Sequence, residues 1–388
     1  MSQGHQPAQP ADPELDSLCR AALAGERLDA GQALRIYRGL DLPSLGMLAD
    51  AVRQRINPGD RVTYIIDRNV NPTNVCVTDC GFCAFYRRPG DPEAYELPRE
   101  VVYQKIEETL AAGGAQLLLQ GGHHPYLKTA DFAALFRDIK ARYPQIWIHG
   151  MSPPEIHHLS RLDKRSVRDV LAELQDAGLD SVPGGGAEIL VERVRQVIAP
   201  KKATTEQWLD VMRQVAALGM RGTATMMFGH VETDAERIEH MTRIRELQDE
   251  CGVFTAFIPW TYQPENTALA ASVPGKATVA EYLRTLALAR LYLQNVPHLQ
   301  ASFVTQGMKT CQVGLAMGAD DFGSVMLEEN VVSSAGCSHP ASVAEIERHI
   351  KDAGYVPQRR NMLYQPLPTP ETDRFGNPPR QRAVVSSS

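Results

Sequence analysis

Three cysteines carry the most telling chemistry in this chain. Cys76, Cys80 and Cys83 lie in the run Asn74-Val-Cys-Val-Thr-Asp-Cys-Gly-Phe-Cys-Ala-Phe-Tyr86, a C-x3-C-x2-C spacing. Three thiolates on one short loop can converge on an iron–sulfur cluster. A 4Fe-4S cluster has one iron more than this loop has cysteines, and an open metal position is a place for substrate or cofactor. Zinc is the first competitor, but a structural zinc takes four nitrogen or sulfur ligands. No Cys or His follows closely enough to complete such a set, since His123 and His124 stand far downstream. Inert buried thiols are the second competitor, and Thr78, Asp79 and Gly81 make the loop too polar for that. The cluster reading is preferred to both.

A reactive loop needs a frame to hold it. Short β-rich runs recur at 62–70, 116–121, 146–149, 180–183, 222–228, 254–260, 300–305 and 321–326. Helical patterns lie between most of them. Thr204-x-x-Gln207 predicts a capping box. Trp208, Val211, Met212 and Val215 then share one helical face until Gly219. Thr278-x-x-Glu281 and Ser342-x-x-Glu345 open two more helices, and Ile238, Met241, Ile244 and Leu247 mark a helix over 233–250. The fourth unit is the weakest, with a short helix at 188–197. Strands alternating with helices predict an α/β fold, a (β/α)8 TIM-type barrel over 61–356. Leu15, Leu18 and Ala22, and then Leu45, Leu48, Val52 and Ile56, predict a helical N-terminal extension over 14–60. Residues 1–13 read as a disordered start. Residues 357–388, rich in Pro, Arg and Ser, read as an irregular, extended or disordered tail.

In such a barrel chemistry sits at the C-terminal ends of the strands. The polar peculiarities of the chain fall there. The cysteine loop follows the first strand and Gln120-Gly-Gly-His-His-Pro125 the second. His149 and Ser152-Pro-Pro-Glu155 follow the third, Pro183-Gly-Gly-Gly-Ala-Glu188 the fourth and Phe228-Gly-His-Val-Glu232 the fifth. Pro259-Trp-Thr-Tyr-Gln-Pro-Glu265, Gln306-Gly307 and Glu328-Glu-Asn330 follow the rest. His230 is the catalytic candidate for proton transfer by side-chain type and place, against the commoner structural role of a lone histidine. Glu232 either orients it or starts a helix. Trp260 and Tyr262 either meet a flat substrate or pack in the core. Gly121 and Gly122 form either a tight turn or a close backbone approach to a ligand.

The net charge of −6 over 388 residues gives no basic field for nucleic acid. No apolar run approaches the roughly 18 residues of a membrane span, and the polar first residues lack the apolar core of a secretory signal. Cys19, Cys251, Cys311 and Cys337 are scattered and read as incidental thiols in a reducing, cytoplasmic compartment.

With Phe82 before its third cysteine, the loop resembles the signature of radical S-adenosylmethionine enzymes. The resemblance implies a 4Fe-4S cluster on Cys76, Cys80 and Cys83, with the open iron chelating the amino and carboxylate groups of S-adenosyl-L-methionine. The reduced cluster cleaves that cofactor to methionine and a 5′-deoxyadenosyl radical, while the protein binds and orients. The resemblance also implies cofactor contacts at Phe82, through the backbone of Gly121 and Gly122, and from Glu188 to the ribose hydroxyls. The alternative for Glu188 is a first-turn acid complementing a helix dipole.

Longer strings narrow the resemblance. Cys83-Ala-Phe-Tyr-Arg-Arg-Pro-Gly-Asp-Pro-Glu-Ala-Tyr95, Ser152-Pro-Pro-Glu-Ile156, Pro183-Gly-Gly-Gly-Ala-Glu-Ile189 and Thr225-Met-Met-Phe-Gly-His-Val-Glu-Thr233 together resemble the cyclic dehypoxanthinyl futalosine synthase family of the futalosine route to menaquinone. Aminofutalosine synthase and the deazaflavin-forming enzymes of coenzyme F420 synthesis are the neighbouring alternatives. The Tyr-Arg-Arg-Pro-Gly-Asp-Pro and Ser-Pro-Pro-Glu runs favour the cyclase. The family implies dehypoxanthine futalosine as substrate and hydrogen abstraction at ribose C4′. The C4′ radical then adds to the benzoate ring to form a spiro ring, and loss of a proton and an electron restores aromaticity. An electron donor such as flavodoxin or ferredoxin is implied as well. Pro72, Gly81 and His123 depart from the residues usual there. A cluster-bearing electron carrier or sensor is the opposing class; it would need four cluster ligands and no cofactor pocket.

Overall fold

A computed structural model describes residues 12–368. Three helices, Pro13–Ala24, Ala30–Gly39 and Leu42–Ile56, come first. Asp12, Asp29 and Asp41 each accept a first-turn N–H at the start of one of them. Pro13 therefore opens a helix, and residues 1–11 of the expected disordered start lie outside the described residues. Leu45, Ala49 and Val52 bury the third helix against the helix Val279–Tyr292.

Ten strands follow: β1 (Arg61–Ile65), β2 (Asp67–Val70), β3 (Gln116–Leu119), β4 (Trp147–Gly150), β5 (Ser181–Val182), β6 (Arg221–Phe228), β7 (Phe254–Thr261), β8 (His298–Leu299), β9 (Asp321–Ser324) and β10 (Val356–Arg359). β2 to β8 form one parallel sheet in chain order. β1 runs into β2 and pairs in parallel with β9. A bridge from Gln300 to Asp321 joins the β8 edge to β9 and closes the ring. Counting β1 and β2 as one stave, the barrel has the eight staves read from sequence. Helices cover its outside, and its wall is rich in buried Val, Ile, Leu and Phe, as a parallel sheet requires. The capping boxes at Thr204 and Ser342 form in both directions. At Thr278 only the hydroxyl caps, because Glu281 turns to Arg237.

Two expectations need correction. The sequence pattern puts the seventh strand at 300–305, but it is His298–Leu299, and Phe303–Gln306 is a helical turn. Ser302 spends its N–H on the Tyr282 hydroxyl at 2.8 Å, and Phe303 packs on Phe322 in the core. Tertiary packing thus overrides the β propensity of Phe-Val-Thr. The tail from 357 also does not simply trail. β10 pairs with the first half of β1, from Arg61 opposite Val356. Beyond it Arg360 pairs with Asp321, and the Tyr364 ring stacks on His298 at 3.7 Å. Asp321 and His298 are the first residues of their strands, so this segment closes the floor of the barrel. Residues 369–388 lie outside the described residues. Among the described residues no helix is long and apolar enough to cross a membrane.

Candidate active site and metal centre

The cysteine loop leaves the top of β2 and is tied on several sides. Cys76 N–H donates to Arg87 C=O at 2.9 Å, and Val77 N–H to His123 C=O at 3.2 Å. Gly81 donates to Ile198 C=O at 2.8 Å and accepts from Leu269 N–H at 2.7 Å. The Thr78 hydroxyl stands 3.0 Å from the Cys76 sulfur and 3.5 Å from that of Cys80. Asp79, at φ 48°, is held by Lys201 at 2.8 Å and Arg88 at 3.2 Å.

The three cysteines, Phe82, Gly121, Gly122 and Glu188 line one cavity of about 200 Å³. Distant parts of the sequence thus meet in one place. Gly122 is glycine because a Cβ there would lie 2.2 Å from the Val75 carbonyl oxygen and 3.0 Å from the Cys76 Cβ. Its N–H bonds Thr73 C=O and its C=O accepts from His124 N–H, each at 2.9 Å. Gly121 N–H bonds the Glu155 carboxylate at 2.9 Å. Among the described residues no donor reaches the Gly121 carbonyl. The Ser-Pro-Pro-Glu run is a capping box for the helix Pro153–Asp163, and its Glu155 also grips Gly121. The segment Gly184–Gly186 is packed tightly: a Cβ on Gly184 would stand 2.4 Å from the Thr223 carbonyl oxygen.

Glu188 lies in the loop before the helix Glu192–Ile198, in a left-handed conformation at φ 41°. A non-glycine residue in that region marks strain, which clusters at functional sites. Its Oε1 accepts from Lys202 Nζ at 3.1 Å, and its buried Oε2 has no hydrogen-bond partner. Lys202 also lies over the Phe82 ring, its nitrogen 5.4 Å from the centroid. Burial disfavours the Lys202 ammonium, but Glu188 and Cys80 outweigh this and hold its pKa above the ordinary value. No spacing in the sequence signalled Lys202.

Burial pushes the Cys80 thiol up to about 11 and that of Cys83 upward as well, with Lys202 opposing. Bound iron supplies the positive charge that turns such thiols into thiolates. Among the described residues no three His, Cys, Asp or Glu converge to hold a single ion. That is as expected for a cluster, whose cysteines bind separate irons. Three thiols around one cavity, an orphaned carboxylate oxygen and a backbone cradle that admits no Cβ fit a cluster with an adenosyl cofactor beside it.

His230 is not brought to this cavity. Its Nε2 is 3.0 Å from Met227 C=O, and its Nδ1 accepts Val231 N–H at 2.8 Å. Glu232 accepts the N–H groups of Gly229 and His230 and pairs with Arg237. Both residues line a separate outer groove. Tyr262 is core, with its hydroxyl on Thr267. Trp260 sits where the cofactor cavity meets a second cavity of about 280 Å³ inside the barrel.

That inner cavity has a mostly apolar surface and carries a polar patch in its wall. Asp67, on β2, accepts from Gln116 Nε2 at 3.0 Å and from the Ser324 hydroxyl. Burial pushes its carboxyl up to about 6, with Ser324, Gln116 and Arg360 opposing and Asp321 adding. Arg360, Met362 and Tyr364 form part of the cavity wall. The sequence reading missed Asp67 and Arg360 because one sits inside a strand and the other in the tail.

A closed parallel barrel with a three-cysteine loop after its first stave and a cofactor-sized cradle beside it defines a radical S-adenosylmethionine enzyme. The Radical SAM superfamily model matches residues 70–244, and a model described as the CofH/MqnC C-terminal region matches 251–373. The chain is 43% identical to the cyclic dehypoxanthine futalosine synthase of Halalkalibacterium halodurans, covering 92% of this chain and 95% of that one. It is 45% identical to the enzyme of that name from Streptomyces coelicolor, covering 96% and 93%. It is 38% identical to the aminodeoxyfutalosine synthase of Thermus thermophilus, covering 91% and 96%. Among solved structures, the [FeFe]-hydrogenase maturase HydG matches with a TM-score of 0.71 at 14% identity, covering 91% of this chain and 77% of that one, which bears on the fold alone. The chain belongs to the radical S-adenosylmethionine superfamily, in the family that carries the CofH/MqnC C-terminal region. The cofactors of that superfamily, a 4Fe-4S cluster and S-adenosylmethionine, are those the cavity fits.

Proposed function

We propose that this chain is a cyclic dehypoxanthine futalosine synthase, closing dehypoxanthine futalosine to its cyclic spiro product in menaquinone biosynthesis. The observation that carries the reading is identity of 43% and 45% to two enzymes of that name over more than nine-tenths of both chains. When bound, the cluster and S-adenosylmethionine supply the 5′-deoxyadenosyl radical that takes hydrogen from ribose C4′.

The chain's own residues do the rest. Cys76, Cys80 and Cys83 would hold three irons of the cluster. With the cofactor bound, the Gly121 carbonyl would take the methionine ammonium, Phe82 would line its cavity, and the orphaned Glu188 oxygen would take ribose hydroxyls. Trp260 stands where the cofactor and substrate cavities meet and would position the substrate there. The barrel closed below by Arg360 and Tyr364 keeps water from radicals and holds the benzoate ring near C4′. The proton lost on rearomatisation goes to Asp67 rather than His230, because Asp67 lines the inner cavity and burial pushes its carboxyl up to about 6. A donor such as flavodoxin or ferredoxin supplies the electron at the cysteine loop, where Val77 is exposed. The reduced cysteines, without disulfides among the described residues, suit a cytoplasmic enzyme.

The test is anaerobic incubation of the reconstituted protein with S-adenosylmethionine, reductant and dehypoxanthine futalosine. Cyclic product and 5′-deoxyadenosine are expected together. Formation of 5′-deoxyadenosine without cyclic product would sink the substrate assignment and keep the class.

A further inference from the structure

His149, at the third residue of β4, lies in the wall of the inner cavity and is not among the residues assigned a role above. Its Nδ1 stands 2.7 Å from the Ser181 hydroxyl of the neighbouring strand. The same hydroxyl oxygen accepts the Trp147 indole N–H at 2.7 Å. An indole nitrogen can only donate. Ser181 therefore has its own proton left to give, and among the described residues the one acceptor its hydroxyl oxygen meets is His149 Nδ1. With Nδ1 accepting, the neutral ring carries its proton on Nε2. Nε2 has no protein partner among the described residues and is not fully buried. It opens on the cavity.

We propose that Trp147, Ser181 and His149 form a hydrogen-bond chain that fixes His149 as a neutral imidazole whose Nε2–H is donated to a carbonyl or hydroxyl oxygen of the substrate in the barrel. This rests on the functional reading above and deepens it. Two further facts agree. Burial and then Arg360 push the imidazolium down to about 3, so a charged ring is disfavoured throughout the working range. The Ser181 backbone acts the other way, raising it, and is outweighed. Of the nearby polar groups in the cavity wall, Gln116 and Ser324 already donate to Asp67. His149 therefore contributes a donor that nothing in the protein uses. An unused buried donor is costly unless a ligand takes it. As a neutral donor it would hold the substrate in register for the radical without adding a proton to it.

The test has two readouts. In reconstituted protein with oxidised cluster and 15N-labelled histidine, the resonance lost in His149→Gln identifies the ring. We expect the Nε2–H tautomer, with no titration between about pH 5 and about pH 9, and a change at Nε2 when dehypoxanthine futalosine is added. A proton on Nδ1, or titration in that range, overturns the proposal. In turnover, His149→Ala is expected to raise KM for that substrate about tenfold to a hundredfold, the worth of one hydrogen bond left unmade. His149→Gln, which keeps an N–H donor, should recover part of it, and both should bind S-adenosylmethionine normally. An unchanged KM in His149→Ala overturns the proposal. If His149→Ala does not fold, the wild-type resonance still decides. If wild-type protein shows the tautomer but does not convert this substrate, the substrate assignment fails, and the presented donor stands.

Discussion

Replacing Glu188 with Gln isolates the one buried carboxylate that faces the cofactor cavity with an oxygen to spare. The side chain keeps its size and one acceptor and loses its charge. In the wild type Oε1 is held by Lys202 at 3.1 Å, and Oε2 is buried without a partner, with Arg195 no nearer than 3.8 Å. A ribose with two hydroxyls would complete it, and an amide can accept from only one of them. The loss of one charge-assisted hydrogen bond is worth about 1.5–3 kcal/mol, or about tenfold to somewhat over a hundredfold in dissociation constant. Equilibrium binding of S-adenosylmethionine to reconstituted protein measures it, with iron content and the cluster spectrum as controls. An intact cluster with a dissociation constant within about twofold of wild type would refute the reasoning. Glu188 would then serve only to neutralise Lys202.

Other perturbations follow from the same geometry. Cys80→Ala should lose iron and all formation of 5′-deoxyadenosine, as read by metal analysis and chromatography. Gly122→Ala should also fail to hold the cluster, since its Cβ would stand 2.2 Å from a backbone oxygen of the cysteine loop; full iron content would contradict this. Asp67→Asn should still move deuterium from substrate C4′ into 5′-deoxyadenosine while cyclic product falls by about a hundredfold, the worth of a positioned base. A base works ionised, so wild-type turnover should fall as pH drops through about 6, where the Asp67 carboxyl takes up its proton. His230→Gln should change neither label transfer nor product by more than about twofold, because both ring nitrogens are spent on nearby backbone.

The residues that announced themselves in sequence are those whose spacing along the chain is itself the signal. Cys76, Cys80 and Cys83 need only a short loop to converge. Six of the expected strands lie within a residue or two of β3 to β7 and β9, because a stave buried on both faces must be a compact apolar run. The place of Glu188 on the cavity wall is legible from its position after a glycine run at a strand end. By the same rule His230 is expected at the site, yet it lines a separate groove. It ends a strand at the correct end of the barrel, but Gly229 at φ 87° turns the chain outward and spends the imidazole on Met227 and Val231. Position along the axis is written in the sequence, but the direction a side chain takes from the last residue of a strand is not.

The charged groups inside the barrel were hidden for a related reason. Asp67 interrupts an apolar strand, and by composition it reads as a break in the pattern. It is tolerable only because Gln116 and Ser324, from β3 and β9, supply donors across the ring. Arg360 belongs to a segment whose Pro and Arg content predicts an open tail. It is buried because β10 carries it under the barrel to Asp321, and an unpaired guanidinium there would be far more costly than the pair. Lys202 is likewise kept by Glu188 and the cysteine loop. Each is held by partners far away in sequence, so no local window contains the reason for its burial. Closure of the ring creates these polar contacts, and it brings the orphaned Glu188 oxygen and the unused His149 nitrogen to the two adjoining cavities where cofactor and substrate must meet.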